Sequence, residues 1–271
     1  MKNNTYLAAD FGGGSGRIIA GTISNGKLHI EEIHRFTNRL VQLGKHIYWD
    51  FPCLFQDMKE GMRLAAKQGL KINGIGVDTW GVDFGLIDRN GNLLGNPVSY
   101  RDKRTVGIPE KVFDIISKSE HYRRTGIQAM PINTLFQLYS MLLEDNPQLT
   151  IADRLLFMPD LFNYFLTGIA ANEYSISSTS ELLNANTHTW DTDLLSQLKI
   201  PQHLFGEIRQ PGTILGKLKK EIAKETGLDE IDVITVGSHD TASAIAAIPA
   251  SGENYAFLSS GTWSLMGIGH Y

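Results

Sequence analysis

The run Asp10-Phe11-Gly12-Gly13-Gly14-Ser15-Gly16-Arg17 places four glycines among eight residues. Backbone without Cβ atoms can approach a ligand closely, and consecutive N–H groups in such a turn can bind an anion. An aspartate at the end of the preceding apolar run could hold a magnesium ion, directly or through water. Phosphate binding by this run, with Asp10 on the metal side, is therefore one reading; a plain glycine-rich hairpin is the other. A dinucleotide fingerprint starting at Gly12 would need glycine where Arg17 stands and a helix where a strand is expected. A P-loop would need Gly-Lys-Ser/Thr, which the sequence lacks.

Four further runs could carry chemistry. Val236-Gly237-Ser238-His239-Asp240-Thr241 falls between a buried strand and a helix start, where polar residues face the crevice in which α/β sheets gather ligands. Asp240 is there either a helix cap or a catalytic carboxylate. His239 has no second histidine at ligand spacing, which favours a structural or binding role over a metal ligand. Asp78-Thr79-Trp80-Gly81-Val82-Asp83 suits a sugar, because an aromatic face covers C–H surface and carboxylates accept from hydroxyls. The same run also reads as a tight turn with Trp80 in the core. Tyr100-Arg101-Asp102-Lys103-Arg104-Thr105 reads as a solvated charged loop. Ser259-Ser260-Gly261-Thr262-Trp263 reads as a small-residue turn echoing the first hairpin.

The elements that must position these runs follow from periodicity and turn residues. Residues 6–10 and 17–22 read as strands around the glycine turn. Ser24-Asn25-Gly26 marks a hairpin turn, and residues 27–36 alternate in part as a half-buried strand does. Asp50 can cap a helix with Pro52 in its first turn. Leu54, Phe55, Met58, Met62 and Ala65 share its inner face and Gly69 ends it. Residues 72–78 and 82–87 are expected strands. The spans 109–118, 133–144, 160–166 and 192–198 are expected helices. A short strand at 213–215 precedes an amphipathic helix at 217–226. The segment Lys217-Leu218-Lys219-Lys220 is expected on the solvated face of that helix. A buried strand at 231–236 precedes an alanine-rich helix at 240–248, and Pro249-Ala250-Ser251-Gly252 reads as a linker before a strand-turn-strand at 257–267. The order is that of a mixed α/β sheet with covering helices.

Composition sets the limits. The chain has 271 residues, 42% hydrophobic and 20% charged, with a net charge of −4, as a soluble globular protein has. It lacks the basic stripe of a nucleic-acid binder and any apolar run of membrane-spanning or signal-peptide type. Cys53 is the only cysteine, which excludes an internal disulfide and favours a reducing compartment. The expectation is a cytoplasmic protein with small-molecule partners, no nucleic acid and no membrane; its oligomeric state is not legible.

Taken together, these runs resemble the FGGY carbohydrate kinases along essentially the whole chain. The match includes the Asp10–Arg17 hairpin, Tyr48-Trp49-Asp50, Ile75 to Phe84, and the Tyr100–Thr105 loop. It continues with Met158-Pro159-Asp160-Leu161-Phe162, Leu166-Thr167-Gly168, Ser238 to Ala244 and Ser259 to Gly267. The Asp78–Phe84 and Ser238–Ala244 runs are most similar to the branch that acts on L-rhamnulose. The resemblance implies an actin-like, ribonuclease-H-like fold of two related domains, with ATP and sugar between them. It implies Asp240 as the base that takes the O1 proton of L-rhamnulose as that oxygen attacks the γ-phosphate. Gly81, His239, Asp240 and Thr241, with Trp80, are implied as sugar contacts. Gly13 to Arg17 and Thr262 are implied as ATP contacts, and Asp10 as the magnesium-side carboxylate. Residues 1–248 would form the N-terminal sugar-binding domain, and 249–271 a linker and the first hairpin of a truncated C-terminal domain. Family members are considerably longer, so the expectation is a fragment that turns over poorly alone. The alternatives are a kinase for another ketose, such as L-fuculose or a pentulose, and a non-catalytic actin-like module that binds nucleotide or sugar.

Overall fold

The computed structural model describes residues 4–250, 255–260 and 264–269. Its centre is a six-stranded mixed sheet of β1 (Asn4–Phe11), β2 (Ser15–Ser24), β3 (Lys27–Thr37), β4 (Ile72–Thr79), β5 (Thr213–Lys217) and β6 (Asp232–Thr235), in the order β5-β6-β4-β1-β2-β3. The meander β1-β2-β3 is antiparallel, β1, β4 and β6 run parallel, and β5 is antiparallel to β6. Asn25 and Gly26 both adopt positive φ, 52° and 73°, the two-residue turn whose twist suits a hairpin.

Alternation in β1 turns Thr5, Leu7, Ala9 and Phe11 inward. Helix α1 (Phe51–Lys67) lies against that inner face. Asp50 caps it by accepting from Cys53 N at 3.3 Å, and Phe51, Leu54, Met58, Met62 and Ala65 are buried. Phe51, Leu54, Met58 and Met62 each contribute about 2 kcal/mol relative to exposure. Gly61 lets the helix approach, since a Cβ there would stand 2.2 Å from Ile18. Helix α2 (Met158–Thr167) completes the layer, its Phe162 ring stacked on Phe11 at 4.3 Å. A second core lies around the antiparallel pair Phe84–Ile87 and Arg154–Phe157, filled by Leu135, Phe136, Leu138 and Leu194. The shorter helices later in the chain include α3 (Tyr174–Ser178), α4 (Lys220–Thr226) and α5 (Asp240–Ala246).

Several expected elements differ. The first six residues of β3 are exposed, because β3 is the edge strand and only its second half, through Ile33 and Phe36, meets the core. The helix expected over 109–118 is two, Ile108–Phe113 and Lys118–Thr125. Ser117 starts the second by accepting from Glu120 N at 3.2 Å. The basic run at 217–220 is a strand-to-helix junction: Lys217 ends β5 and pairs with Asp232 at 2.7 Å, and Leu218 is buried. The strand expected from residue 82 begins at Phe84, because Val82 has φ +70°. Among the described residues no helix is long and apolar enough to cross a membrane. Tyr255–Ser260 and Ser264–Gly269 pair as a separate antiparallel hairpin.

Candidate active site

The carboxyl ends of β1, β4 and β6 meet at one edge of the sheet. Asp10 is the register partner of Asp78, and Phe11 that of Thr79. Thr79 N donates to Ser238 O at 2.9 Å, and Trp80 N donates to Phe11 O at 3.0 Å. These bonds bring Asp10, Asp78 and Asp240 together. Burial, and then the negative charges of Asp10 and Asp240, hold the Asp78 carboxyl well above the usual carboxylate range. Arg17 Nε donates to Asp10 Oδ2 at 2.8 Å.

The glycine hairpin stands beside this cluster. Its carbonyls are turned towards protein donors: Asn38 Nδ2 donates to Gly12 O, Arg101 Nη2 to Gly13 O at 3.0 Å, and Asn38 N to Gly14 O at 3.1 Å. Among the described residues no acceptor faces the N–H groups of Gly13 and Gly14, which leaves two adjacent donors for an anion. A Cβ on Gly14 would meet nothing within 4 Å, whereas one on Gly16 would stand 2.3 Å from the Phe36 ring. Gly14 is thus open to a ligand and Gly16 is required by packing. The 100–105 segment is not a free solvated loop. Tyr100 and Arg101 lie against Gly13, and Asp102 is buried, accepting from Ile47 N at 2.8 Å.

Asp240 is the first residue of α5, behind His239 at its cap. Its side chain keeps 37% of its surface exposed, with His239 Nε2 at 3.5 Å and the Thr241 hydroxyl donating at 3.2 Å. It is therefore free to accept a proton. Burial lowers the His239 pKa, so its imidazole is neutral at pH 7.

The segment from Glu173 through α3 to Thr179 supports the site from behind. The buried Glu173 carboxylate accepts from Ser175 N at 2.8 Å, Ile176 N at 3.0 Å and Ser238 N at 3.2 Å. Ser175 Oγ accepts from His239 N at 3.2 Å, and Thr179 Oγ1 from Val82 N at 3.0 Å. One short element thus fixes both the 238–240 turn and the Gly81–Val82 turn. The latter is a γ-turn closed by Asp83 N to Gly81 O at 2.9 Å. Its centre, a β-branched residue at φ +70°, costs roughly 1–3 kcal/mol and persists only where its surroundings over-determine it. Thr134 Oγ1, at 2.7 Å, and Gln137 Nε2, at 3.3 Å, donate to Val82 O.

The Trp80 ring is turned into the core. It is 5% exposed, packs on Trp49 at 4.0 Å and donates its N–H to Asp83. Of the two readings of Trp80, the core one holds, and its part is to anchor the turn. Asp83 is likewise internal. It accepts from Trp49 Nε1, Trp80 Nε1, Tyr100 N and Gln137 Nε2, and burial still raises its pKa to about 6. Thr262 lies outside the described residues.

The structure thus brings together Asp10, Gly13 to Arg17, His239, Asp240 and Thr241, with Gly81 joined to them through the Glu173–Thr179 segment. Sequence reasoning named Asp78 as a carboxylate that could accept from a sugar, not as a neighbour of Asp10 and Asp240, and it missed Glu173, Ser175 and Thr179 as site residues. Two apolar runs that each end in Asp, at Asp10 and Asp78, were a legible signal for neighbouring parallel strands. Glu173 ahead of a serine-rich run was a legible helix start.

Among the described residues no group of three or more His, Cys, Asp or Glu side chains is spaced to hold a metal ion alone. The carboxylates of Asp10 and Asp78 nevertheless suit a hard cation that takes its other ligands from water and phosphate. Positive charge there would relieve the repulsion that raises Asp78.

The strand order, with acidic strand ends facing a glycine hairpin, defines an actin-like, ribonuclease-H-like fold. Among solved structures, a carbohydrate kinase from Novosphingobium aromaticivorans superposes with a TM-score of 0.84 at 19% identity, covering 100% of this chain and 57% of that one. A gluconate kinase from Lactobacillus acidophilus gives 0.79 at 21% identity, covering 88% of this chain and 48% of that one. The chain belongs to the FGGY family of carbohydrate kinases, whose N-terminal domain matches residues 5–247. It is 48% identical over 268 residues to a rhamnulokinase of Bacteroides thetaiotaomicron, covering 99% of this chain and 55% of that protein. It is 44% identical over 263 residues to one of Oceanobacillus iheyensis, covering 97% and 55%. The chain spans about half the length of the curated relatives it matches.

Proposed function

We propose that the whole protein carrying this chain transfers the γ-phosphoryl group of ATP to O1 of L-rhamnulose, giving L-rhamnulose 1-phosphate and ADP in the cytoplasm. The observation that carries this reading is the accessible Asp240 carboxylate beside Asp10, Asp78 and the amide-open glycine hairpin. The rhamnulokinase relatives favour the sugar. Asp240 Oδ accepts the O1 proton as O1 bonds to the γ-phosphorus and the bond from that phosphorus to the leaving oxygen of ADP breaks. A loose phosphoryl transition state asks for proton removal only late, so a carboxylate suffices as the base. The N–H groups of Gly13 and Gly14, with Ser15, Gly16 and Arg17, receive phosphate oxygens. Thr262 supplies a further nucleotide contact. Gly81, His239 and Thr241 orient the sugar, His239 as a neutral imidazole. Asp10 and Asp78 are the residues that would hold Mg²⁺, whose charge would offset that of the phosphates. Residues 1–248 serve as the sugar-binding domain, and 249–271 as a linker and the first hairpin of a second domain.

The test is a ketose panel with the whole protein, ATP and Mg²⁺, read by phosphorus NMR. L-Rhamnulose should give the 1-phosphate with the highest kcat/KM. A higher value for L-fuculose or a pentulose would overturn the substrate, and no transfer to any ketose would overturn the reaction class.

A further inference from the structure

Glu181 is fully buried, sits at φ +62° and plays no part in the chemistry above. Its position explains how the strained Val82 turn is held. Val82 is gripped from two segments: Thr179 Oγ1 accepts its N–H, while Thr134 and Gln137 donate to its carbonyl. Glu181 ties those segments together. Its Oε1 accepts from Met130 N at 3.1 Å and from Asn133 Nδ2, and the neighbouring Ser180 O accepts from Leu135 N at 3.0 Å. Without that tie, Thr179 and Thr134 can separate and Val82 can relax to negative φ, which moves Gly81.

We propose that Glu181 is a positioning residue for the Gly81–Val82 turn, clamping the 130–137 and 179–182 segments together and so setting the affinity for sugar. The proposal deepens the reading of Gly81 as a sugar contact and rests on it. The second carboxyl oxygen also has a task. Glu181 Oε2 stands 3.4 Å from the buried His121 Nε2, and both atoms are without a hydrogen-bond partner among the described residues. Burial pushes Glu181 up to about 8 and pushes His121 down, so at neutral pH the acid is protonated and the imidazole neutral. Oε2–H is then the donor that Nε2 lacks.

Two substitutions in the whole protein test this. Glu181→Met keeps the volume and removes the acceptors. Glu181→Gln keeps an acceptor for Met130 and Asn133 and offers an N–H to His121. E181M should raise KM for L-rhamnulose roughly tenfold, with kcat and KM for ATP within about twofold. Hydrogen exchange of the Val82 and Asp83 amides should accelerate about tenfold in parallel. E181Q should restore both, and the His121 ring nitrogens should report an unprotonated Nε2. An E181M protein with wild-type KM and wild-type exchange would overturn the proposal. So would a joint fall of kcat and both affinities, which marks general damage. Should the wild-type protein leave L-rhamnulose unphosphorylated, the functional reading fails, and exchange at Val82 in E181M and E181Q decides the clamp alone.

Discussion

Asp83 offers the sharpest test of how the turn at the site is held. It is fully buried and accepts four hydrogen bonds. Three go to Oδ2, from Trp49 Nε1 at 2.6 Å, Trp80 Nε1 at 3.0 Å and Tyr100 N at 3.1 Å; the fourth goes to Oδ1, from Gln137 Nε2 at 3.0 Å. Asp83→Ala strands four donors, each costing about 1–3 kcal/mol, offset in part by relief of a buried charge, so the net loss should be at least about 3 kcal/mol. Asp83→Asn keeps one oxygen for the three Oδ2 donors but turns an NH₂ towards Gln137. That side chain cannot flip freely, because its Nε2 also donates to Val82 O and Ile132 O and its oxygen accepts from Arg104. The pH dependence separates charge from geometry. Burial lifts the folded pKa to about 6 from 3.8, so the folded state holds this proton more tightly than the unfolded state. The associated stability is fully present below 3.8 and lost as pH rises through about 6, in all about 3 kcal/mol at roughly 1.4 kcal/mol per pH unit. The asparagine variant lacks that dependence, so its deficit against wild type should widen by up to about 3 kcal/mol between pH 7 and pH 4. Urea unfolding followed by tryptophan fluorescence reads this directly, since Trp49 and Trp80 flank the carboxylate. A deficit that stays constant or narrows on acidification, or an alanine variant within about 1 kcal/mol of wild type, would refute the reasoning.

Other outcomes rest on the same geometry. Asp78→Asn removes a carboxylate raised by burial and by repulsion from Asp10 and Asp240; thermal stability should rise by a few °C, roughly 1 kcal/mol, at pH 8, while magnesium-dependent nucleotide binding by the whole protein weakens. Gly14→Ala should leave the melting temperature unchanged and weaken nucleotide binding, because its Cβ meets nothing in the protein. Gly16→Ala should instead cost about 1–3 kcal/mol in urea unfolding, since its Cβ would collide with the Phe36 ring.

Local pattern made much of this architecture readable. The glycine hairpin, the Asn25-Gly26 turn, the Asp50-capped helix and the strands that carry Asp10 and Asp78 near their carboxyl ends are all consequences of neighbours in sequence. The sequence motif around Asp240 placed it at a strand-to-helix junction, as the structure does. What could not be read is what long-range contact decides. The exposure of β3 depends on which strand lies at the edge. The break between Ile108–Phe113 and Lys118–Thr125 is the exception, since Ser117 caps the second helix through Glu120 N only three residues on, a local signal that was overlooked. The positive φ of Val82 depends on Thr134, Gln137 and Thr179, which lie 52 to 97 residues away. Both readings of Trp80 stood open in the sequence because the carboxylate that draws its N–H inward, Asp83, is itself fixed by Trp49 and Gln137, distant in the chain.

The central claim is that Asp240 removes the proton from the attacking hydroxyl. Single-turnover phosphoryl transfer by the whole protein carrying Asp240→Asn, with L-rhamnulose binding measured by calorimetry on the same sample, tests it most directly. The account predicts a loss of roughly 100- to 10,000-fold in the transfer rate with sugar affinity within about threefold of wild type. Transfer within about tenfold of the wild-type rate would contradict it.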